Sequence, residues 1–220
     1  METPELAGLA AIPPPFFMRH PAEVAPELIG AYVVSTSGGV VTGGVIVETE
    51  AYLGTDDAGS HAATRGITKR NATMYGPPGT AYVYFTYGNH HMLNLVCEPD
   101  GIAGAVLVRA LEPLWGLSEM AARRHGRPDR ELCNGPGKLA AALGLDLSDN
   151  AVALGEGRLS VYHGLRPAAD EIATSGRVGL SAGHELELRF FLAGSPFVSR
   201  GRTGPPPERQ ATTRREGTPR

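Results

Sequence analysis

Two glutamates and a tyrosine alternate in the segment 43–54, which reads GGVIVETEAYLG. Because successive side chains of a β-strand point to opposite faces, Glu48, Glu50 and Tyr52 are predicted to share one face of an otherwise apolar strand. Same-face neighbours lie about 6.6 Å apart along a strand, near enough for one carboxylate to raise the pKa of the other where water is excluded. Such a carboxyl group can act as a general base, although an exposed strand with two solvated acids would show the same spacing.

A hairpin with an aromatic tip is predicted in the segment 82–94, which reads YVYFTYGNHHMLN and holds three of the seven tyrosines. Alternation places Tyr82 and Tyr84 on one face of its first strand, while Tyr87 precedes the Gly-Asn turn and can point off the end. A ring carried on a narrow ribbon suits insertion between stacked bases. Tyrosine is also common in strands for packing reasons alone, so a purely structural hairpin is the alternative.

Histidines near these segments give little support for a metal site. His61 stands alone in a loop of Asp, Gly and Ser residues, and the adjacent His90 and His91 would face opposite ways on a strand. No HxH or HxxxH spacing is present, so a hydrolase that binds metal through Glu50, His61 and His90 is kept only as a rival, and no metal is predicted.

The segment 134–139, NGPGKL, partly matches a phosphate-binding loop. Leu139 stands where that motif requires a hydroxyl residue, and the first glycine is not in the required position. The segment is therefore predicted to begin a helix instead.

Charge is distributed unevenly along the 220 residues, whose formal net charge is −3. Eight acids and one arginine occupy residues 1–60, so the remainder is net positive. Its basic residues cluster at Arg65, Lys69 and Arg70, at Arg123, Arg124, Arg127 and Arg130, and in the tail. Because charges are screened over about 10 Å at 0.1 M salt, a nucleic acid would sense such a local patch more than the acidic total.

Other compositional features point to a globular protein of the cytoplasm. No apolar run approaches the roughly 20 residues of a membrane-spanning helix, and the first residues carry Glu2 and Glu5 instead of the positive charge of a secretory signal. Cys97 and Cys133 show no zinc-like spacing, and both are expected to be reduced.

The pattern of apolar residues and of Gly, Pro and Asp breaks predicts five early strands, a late strand and three helices. The strands are placed at 31–36, 40–53, 80–87, 89–97, 105–111 and 185–191, and the helices at 21–28, 114–125 and 136–143. The late strand is predicted to be half-buried, with Arg189 on its polar side together with Glu185 and Glu187. The fold class predicted is α+β, a single domain with a curved, mainly antiparallel β-sheet, flanking helices and a protruding β-hairpin. We expect a flexible segment at 1–15, the domain at 16–202 and a disordered basic tail at 203–220.

Taken together, the motifs resemble the alkyladenine (3-methyladenine) DNA glycosylase family from about residue 16 to residue 200. The resemblance rests on VETEAYLG at 47–54, His61, RNxxM at 70–74, GTxYVYxxYG at 79–88, Asn94, RALEP at 109–113, NGP at 134–136, RVG at 177–179 and GSPFVS at 194–199. The order and spacing of these motifs agree with the family as well.

The resemblance implies an enzyme that extrudes a damaged purine from double-stranded DNA and hydrolyses the bond between base and sugar. It implies Glu50 as general base, Arg109 as a residue that holds the water, and Tyr87 as the side chain that fills the gap in the stack. It further implies that Tyr52, His61 and Tyr84 enclose the flipped base and that Asn94 disfavours the 2-amino group of guanine.

We predict a monofunctional, monomeric hydrolase without a cofactor. Lys69 and Lys138 are the only lysines that could form a Schiff base, and the residues give no support for a lyase activity through them. In a bacterium it would be associated with the nucleoid. A non-catalytic nucleic-acid binding module on the same scaffold is the alternative from another class, supported by the aromatic hairpin and the basic patches alone. The sequence leaves open which lesions are excised.

Overall fold

Two long strands form the centre of the sheet. In the computed structural model, which describes residues 6–63, 66–86, 88–183 and 185–201, β2 (Thr42–Tyr52) pairs with β5 (Ala105–Trp115) along nearly its whole length. The first half of β2 also pairs with β1 (Tyr32–Ser35), and its second half pairs with β9 (Arg189–Leu192). A strand paired on both sides is shielded from water at both edges, which allows polar side chains to be buried on it.

The remaining strands extend the sheet on either side of this centre. They are β3 (Thr80–Thr86), β4 (His90–Val96), β6 (Val152–Ala153), β7 (Leu159–Tyr162) and β8 (Ile172–Ser175). The strand order is β6-β3-β4-β5-β2-β1-β7, with β8 paired to β9, and the pairings between these strands are antiparallel. The predicted α+β class with a mainly antiparallel sheet is confirmed.

Short helices flank the sheet. They are α1 (Pro14–Phe17), α2 (Pro21–Glu27), α3 (Leu117–Arg123), α4 (Asp129–Leu132) and α5 (Pro136–Ala142). α2 and α5 begin with proline, whose missing N–H costs nothing at the first helical position. The segment 134–139 therefore begins a helix, as predicted, and the Lys138 ammonium donates to Asn134 Oδ1 at 2.7 Å.

One face of the sheet carries the apolar core, which includes Ile46 and Ala51 of β2 together with residues of α2 and α5. Thr49 Oγ1 donates a hydrogen bond to the Ala25 carbonyl of α2 at 2.9 Å, so this face of β2 points to the helices. Glu48, Glu50 and Tyr52 lie on the other face, as alternation predicts. The register between β2 and β5 shifts on both sides of Glu48, and such irregularities re-aim side chains.

Several predicted elements need correction. The helix expected from 114 begins only at Leu117, because β5 continues through Leu114 and Trp115. The late strand begins at Arg189 rather than at 185, and Arg189 is buried rather than on a solvent-facing polar side. The three strands β6, β7 and β8 were not predicted, since runs of two to four residues carry little periodic signal.

The ends of the chain and the turn after β3 are described only in part. The backbone N–H of Ile12 donates to the Val161 carbonyl at 2.9 Å, and the Ile12 side chain is buried, although residues 1–15 were expected to be flexible. The domain boundary after residue 15 stays a prediction. Tyr87, the tail from residue 202 and Arg65 of the first basic cluster lie outside the described residues. The protruding hairpin tip therefore also remains a prediction.

Cys97 and Cys133 are both buried and free of disulfide bonds. Burial raises the pKa of each thiol, so both are protonated at neutral pH. Across the described residues, no helix combines the length and apolar character needed to cross a bilayer.

Candidate active site

A cavity of about 290 Å³ opens beside the polar face of β2. It is built by the end of β2, the loop after it, the strands β3, β4 and β5, the loop 178–180, and the side chains of Met74 and Pro136. Four aromatic side chains dominate the lining, namely Tyr52, His61, Tyr82 and Tyr84. A narrow cavity of this composition offers flat faces to a planar ligand.

The aromatic side chains are held in contact with one another. The ring centroids of His61 and Tyr84 are 4.7 Å apart at an interplanar angle of 75°, and those of Tyr82 and Tyr84 are 5.2 Å apart. His61 Nδ1 lies 3.1 Å from the Tyr82 hydroxyl, a hydrogen bond that fixes the imidazole against the strand. The sequence placed Tyr82 and Tyr84 on one face, and the structure confirms this.

The imidazole of His61 is neutral at pH 7. Burial lowers the pKa of His61 below its ordinary 6.5, and the positive charge of Arg70 lowers it further. The guanidinium of Arg70 lies 5.2 Å from the centroid of the Tyr84 ring. The His61 side of the cavity is therefore lined by uncharged rings, with a cation behind them.

Glu50 is completely buried, and its carboxylate contacts three residues of the cavity lining. Oε1 accepts a hydrogen bond from the Val178 backbone N–H at 2.7 Å, and Oε2 accepts one from the Tyr52 hydroxyl at 3.0 Å. Arg109 Nη1 lies 3.2 Å from Oε2. Among the described residues, Oε1 therefore has one hydrogen-bond donor and keeps an acceptor position free.

Glu48 is equally buried and accepts four hydrogen bonds. Its Oε1 accepts from Arg109 Nε at 2.8 Å, from Arg189 Nε at 2.7 Å and from Ser199 Oγ at 2.8 Å, and its Oε2 accepts from the Ser199 backbone N–H at 2.6 Å. Burial raises the pKa of Glu48, but the charges of Arg109 and Arg189 and the hydrogen bonds it accepts outweigh burial and leave the pKa below its ordinary value.

These environments correct two expectations. The two acids are not solvated, so the alternative of an exposed strand face is wrong. The pKa of Glu48 was expected to rise through Glu50; despite burial it is lowered, by the charges of Arg109 and Arg189, and Arg109 contacts both carboxylates. Like-charge repulsion is thereby replaced by a shared cation.

The other predicted site residues fall at different distances from this centre. Asn94 is buried on β4, lines the cavity and donates through Nδ2 to the Tyr82 carbonyl at 3.1 Å. Tyr87 lies outside the described residues. His90 is not part of the lining, and no group of three or more His, Cys, Asp or Glu side chains suited to a metal occurs within the described residues.

Burial raises the pKa of Tyr52 well above its ordinary value, with a further rise from Glu50, so its hydroxyl stays a donor.

Sequence reasoning missed several side chains that complete the site. Arg189 and Ser199, which hold Glu48, are separated from it by 141 and 151 residues. Arg177 also belongs to this set, since its guanidinium carbon lies 4.7 Å from the centroid of the Tyr52 ring. Spacing along the chain gives no signal for any of these contacts.

Comparison with known proteins now adds to this geometry. The family model described as methylpurine-DNA glycosylase (MPG) matches residues 15–196. A protein of Koribacter versatilis (strain Ellin345) is 46% identical over 207 residues, covering 90% of this chain and 98% of its own length. One of Rhodopseudomonas palustris (strain BisB18) is 50% identical over 185 residues, covering 84% of this chain and 88% of its own.

Both of these relatives bear the name "Putative 3-methyladenine DNA glycosylase". A third protein of that name, from Chlorobaculum tepidum, is 45% identical over 200 residues, with coverage of 89% of this chain and 93% of its own length. The family match covers the strands and loops that build the cavity, and the relatives are matched over nearly their whole length. The chain belongs to the methylpurine-DNA glycosylase family.

Proposed function

We propose that this protein is a DNA glycosylase of the 3-methyladenine type, which removes alkylated or deaminated purines from double-stranded DNA and leaves an abasic site. The observation that carries the proposal is the buried Glu50 carboxylate, bonded to Tyr52, Arg109 and Val178, three residues that line an aromatic cavity. The names of the relatives support the same substrate class.

The cavity suits a purine that has been turned out of the duplex. Tyr52, His61 and Tyr84 present flat faces, and an electron-poor or cationic purine is attracted to such faces. Because His61 is neutral at pH 7, it does not repel a cationic base. Stacking on an aromatic side chain returns about 1–3 kcal/mol per base, comparable to the few kcal/mol that flipping costs. Lesions with weakened pairing are therefore favoured before any chemistry occurs.

Two further residues adapt the duplex and the pocket to this substrate. Tyr87 fills the gap that the flipped nucleotide leaves in the stack. Asn94 stands in the lining with its amide bonded to the Tyr82 carbonyl, and this fixed position disfavours the 2-amino group of an undamaged guanine by steric exclusion. Normal purines are thus rejected partly by pairing strength and partly by shape.

Hydrolysis requires one activated water. Glu50 takes a proton from this water while the water oxygen attacks the anomeric carbon of the deoxyribose. The glycosidic bond breaks, and its electron pair leaves with the purine. A methylated purine already carries positive charge and leaves as a neutral base, so one carboxylate suffices where glycosidases ordinarily need two. A neutral deaminated purine requires an added proton and is released more slowly.

Arg109 contributes by holding the water and the charge of the carboxylate. Its Nη1 is directed to Glu50, while its Nε is directed to Glu48 at 2.8 Å. Of the three described residues that bond to Glu48, Arg109 alone lines the cavity, whereas all three that bond to Glu50 line it, so Glu48 anchors Arg109 and Glu50 performs the proton transfer. The two acids of one strand thereby have different tasks.

The reaction is hydrolytic and monofunctional in this proposal. A lyase step would need an amine that attacks the sugar, and neither Lys69 nor Lys138 lines the cavity. No metal or organic cofactor is required by the steps above. We extend the proposal to a cytoplasmic monomer whose catalytic domain spans residues 16–202 and whose partner is double-stranded DNA.

The test is an assay of base release from duplexes that contain single 3-methyladenine, 7-methylguanine, hypoxanthine or ethenoadenine lesions. We expect free base and an abasic site from at least the alkylated duplexes, with the same rate in the presence of a chelator. A protein that binds these duplexes but releases no base from any of them would be a binding module and would refute the proposal. Loss of release on chelation would instead favour the metal-dependent rival.

A further inference from the structure

Arg177 is a cation in the interior of the protein, directly before the residue that bonds to Glu50. Among the described residues it is the largest side chain that is completely buried, with an exposed fraction of 0%. Burying an ion costs several kcal/mol unless close partners compensate for the lost water. The partners of Arg177 therefore indicate what its burial achieves.

Asp57 is the main partner and forms a two-pronged ion pair with Arg177. Nη1 donates to Oδ2 and Nη2 to Oδ1, each at 2.5 Å, while Nη1 also donates to the Ala51 carbonyl and Nη2 to the Gly183 carbonyl, both at 2.9 Å. Only Nε lacks a partner within the described residues. Burial raises the pKa of Asp57, but its bonds to Arg177 and to the Leu53 N–H outweigh burial and leave it ionised.

On the β2 side, this ion pair fixes the residues around Glu50. The Ala51 carbonyl that Arg177 binds lies between Glu50 and Tyr52 in the chain. The guanidinium also lies over the face of the Tyr52 ring, at 4.7 Å from the ring centroid. The hydroxyl of the same tyrosine donates a hydrogen bond to Glu50 Oε2. Tyr52 is thus held between the cation on its face and the carboxylate at its tip.

On the loop side, the same ion pair fixes two segments of the cavity wall. Val178 follows Arg177 and donates its N–H to Glu50 Oε1 at 2.7 Å. Asp57 accepts the Gly59 N–H at 2.9 Å, and a Cβ at Gly59 would lie 2.7 Å from Arg177 Nη2, so only glycine allows this approach. Gly59 lines the cavity two residues before His61.

We propose that Arg177, paired with Asp57, is a positioning residue for the reaction: it sets the Val178 N–H and the Tyr52 ring, which in turn fix the Glu50 carboxylate. Neither Arg177 nor Asp57 lines the cavity, so both act through the residues they hold. The inference rests on the proposed glycosylase function and adds to it an ion pair to which the sequence pattern gave no role.

The test is Arg177→Lys, which keeps the charge but cannot bind both Asp57 oxygens and two carbonyls from a planar fork. Because a displacement of about 1 Å at a reacting group can lower the rate 100-fold, we expect single-turnover release of 7-methylguanine at saturating enzyme to fall roughly 10- to 100-fold. Affinity for the lesion duplex should fall much less than the rate, since every side chain of the cavity lining is still present. This split between rate and binding is a result that lower stability alone does not give.

The matched control is Arg158→Lys, which weakens a second two-pronged pair, between Arg158 and Asp149, whose members do not line the cavity. We expect a lower melting temperature and an unchanged release rate per folded protein. If Arg177→Lys does not fold, Asp57→Asn is measured instead and should show the same split. Release at the wild-type rate, or a loss no greater than in the control, would overturn the inference. Wild-type protein that releases no base would refute the proposed function itself.

Discussion

Glu48 and Glu50 lie two residues apart on one face of β2, yet their surroundings differ. Both are completely buried. Glu48 accepts four hydrogen bonds, two of them from guanidinium groups, in a region closed by β9 and the segment after it. Glu50 accepts one hydrogen bond from a backbone amide and one from a tyrosine hydroxyl, and it shares Arg109 with Glu48 at the edge of a cavity.

The difference shows how one strand supplies both an anchor and a reactive group. At Glu48, four hydrogen bonds, two of them from guanidinium groups, fix the carboxylate, and its partners Arg189 and Ser199 do not line the cavity. At Glu50, fewer donors leave an acceptor position for a water, and the neighbouring rings leave space for a ligand. The comparison predicts that changes at the two ends of this face act on different measurable quantities.

Glu48→Gln should give the largest effect on stability. Removing one partner of a buried ion pair leaves the other charge uncompensated, which typically costs about 3–5 kcal/mol, and here Arg189 loses its carboxylate partner while Arg109 keeps Glu50. We expect this decrease in the free energy of unfolding by urea denaturation. A decrease below about 1 kcal/mol, typical of an exposed pair, would contradict the anchoring role.

Tyr52→Leu should act on ligand binding at the Glu50 end. The leucine keeps an apolar side chain but removes the flat face, and base–aromatic stacking is worth about 1–3 kcal/mol, so affinity for a lesion duplex should fall by about 5- to 150-fold. Binding to undamaged duplex serves as the control and should change little. Equal losses on both duplexes would show that Tyr52 does not contact the flipped base.

Ser199→Ala should produce a smaller effect confined to the Glu48 end. The hydroxyl donates to Glu48 and accepts from Arg109 Nη2, and a hydrogen bond to a charged group contributes about 1.5–3 kcal/mol. The backbone N–H of residue 199 still donates to Glu48, so we expect a loss near the lower figure, read from thermal unfolding. A large loss of lesion binding in this variant would contradict the assignment of stability to the Glu48 end and of ligand binding to the Glu50 end.

Acidification should give the smallest effect, and it lowers stability at both ends but over different pH windows. The folded-state pKa of His61 lies below its ordinary 6.5, so the stability that neutral His61 provides is present above about pH 6.5 and is lost as pH falls through the folded value. The pKa of Glu48 also lies below its ordinary 4.5, so its contribution is lost only at lower pH. Between pH 7 and pH 5, the melting temperature should therefore fall less in His61→Gln than in wild type. An identical fall in both proteins would contradict this.

The sequence predicted the chemistry of β2 better than its environment. Period two correctly placed Glu48, Glu50 and Tyr52 on one face, because local backbone geometry alone decides this. It could not predict that Arg189 of β9 returns to bind Glu48, since that contact joins residues 141 apart and depends on how the sheet closes. Arg189 was accordingly expected on a solvent-facing side of its strand.

The cavity was predictable only in its components. The hairpin pattern indicated that Tyr82 and Tyr84 share a face, and the family resemblance added Tyr52, His61 and Asn94, all of which line the same cavity. Arg177 belongs to the RVG motif at 177–179, but the pattern gave it no role, because it acquires its partners Asp57 and Tyr52 only in the folded chain. Long-range ion pairs of this kind are decided by tertiary packing and leave no periodic trace.

The central claim is that Glu50, and not Glu48, activates the water, and the release rate of Glu50→Gln tests it most directly. With 7-methylguanine duplex and saturating enzyme, we expect single-turnover release per folded protein to fall by about 10²–10⁴ while lesion binding is retained, because the amide keeps its shape and loses basicity. Glu48→Gln, measured in parallel, should lose far less of its release rate per folded protein than Glu50→Gln does, because its main effect is on the free energy of unfolding. Release by Glu50→Gln at the wild-type rate would contradict the account.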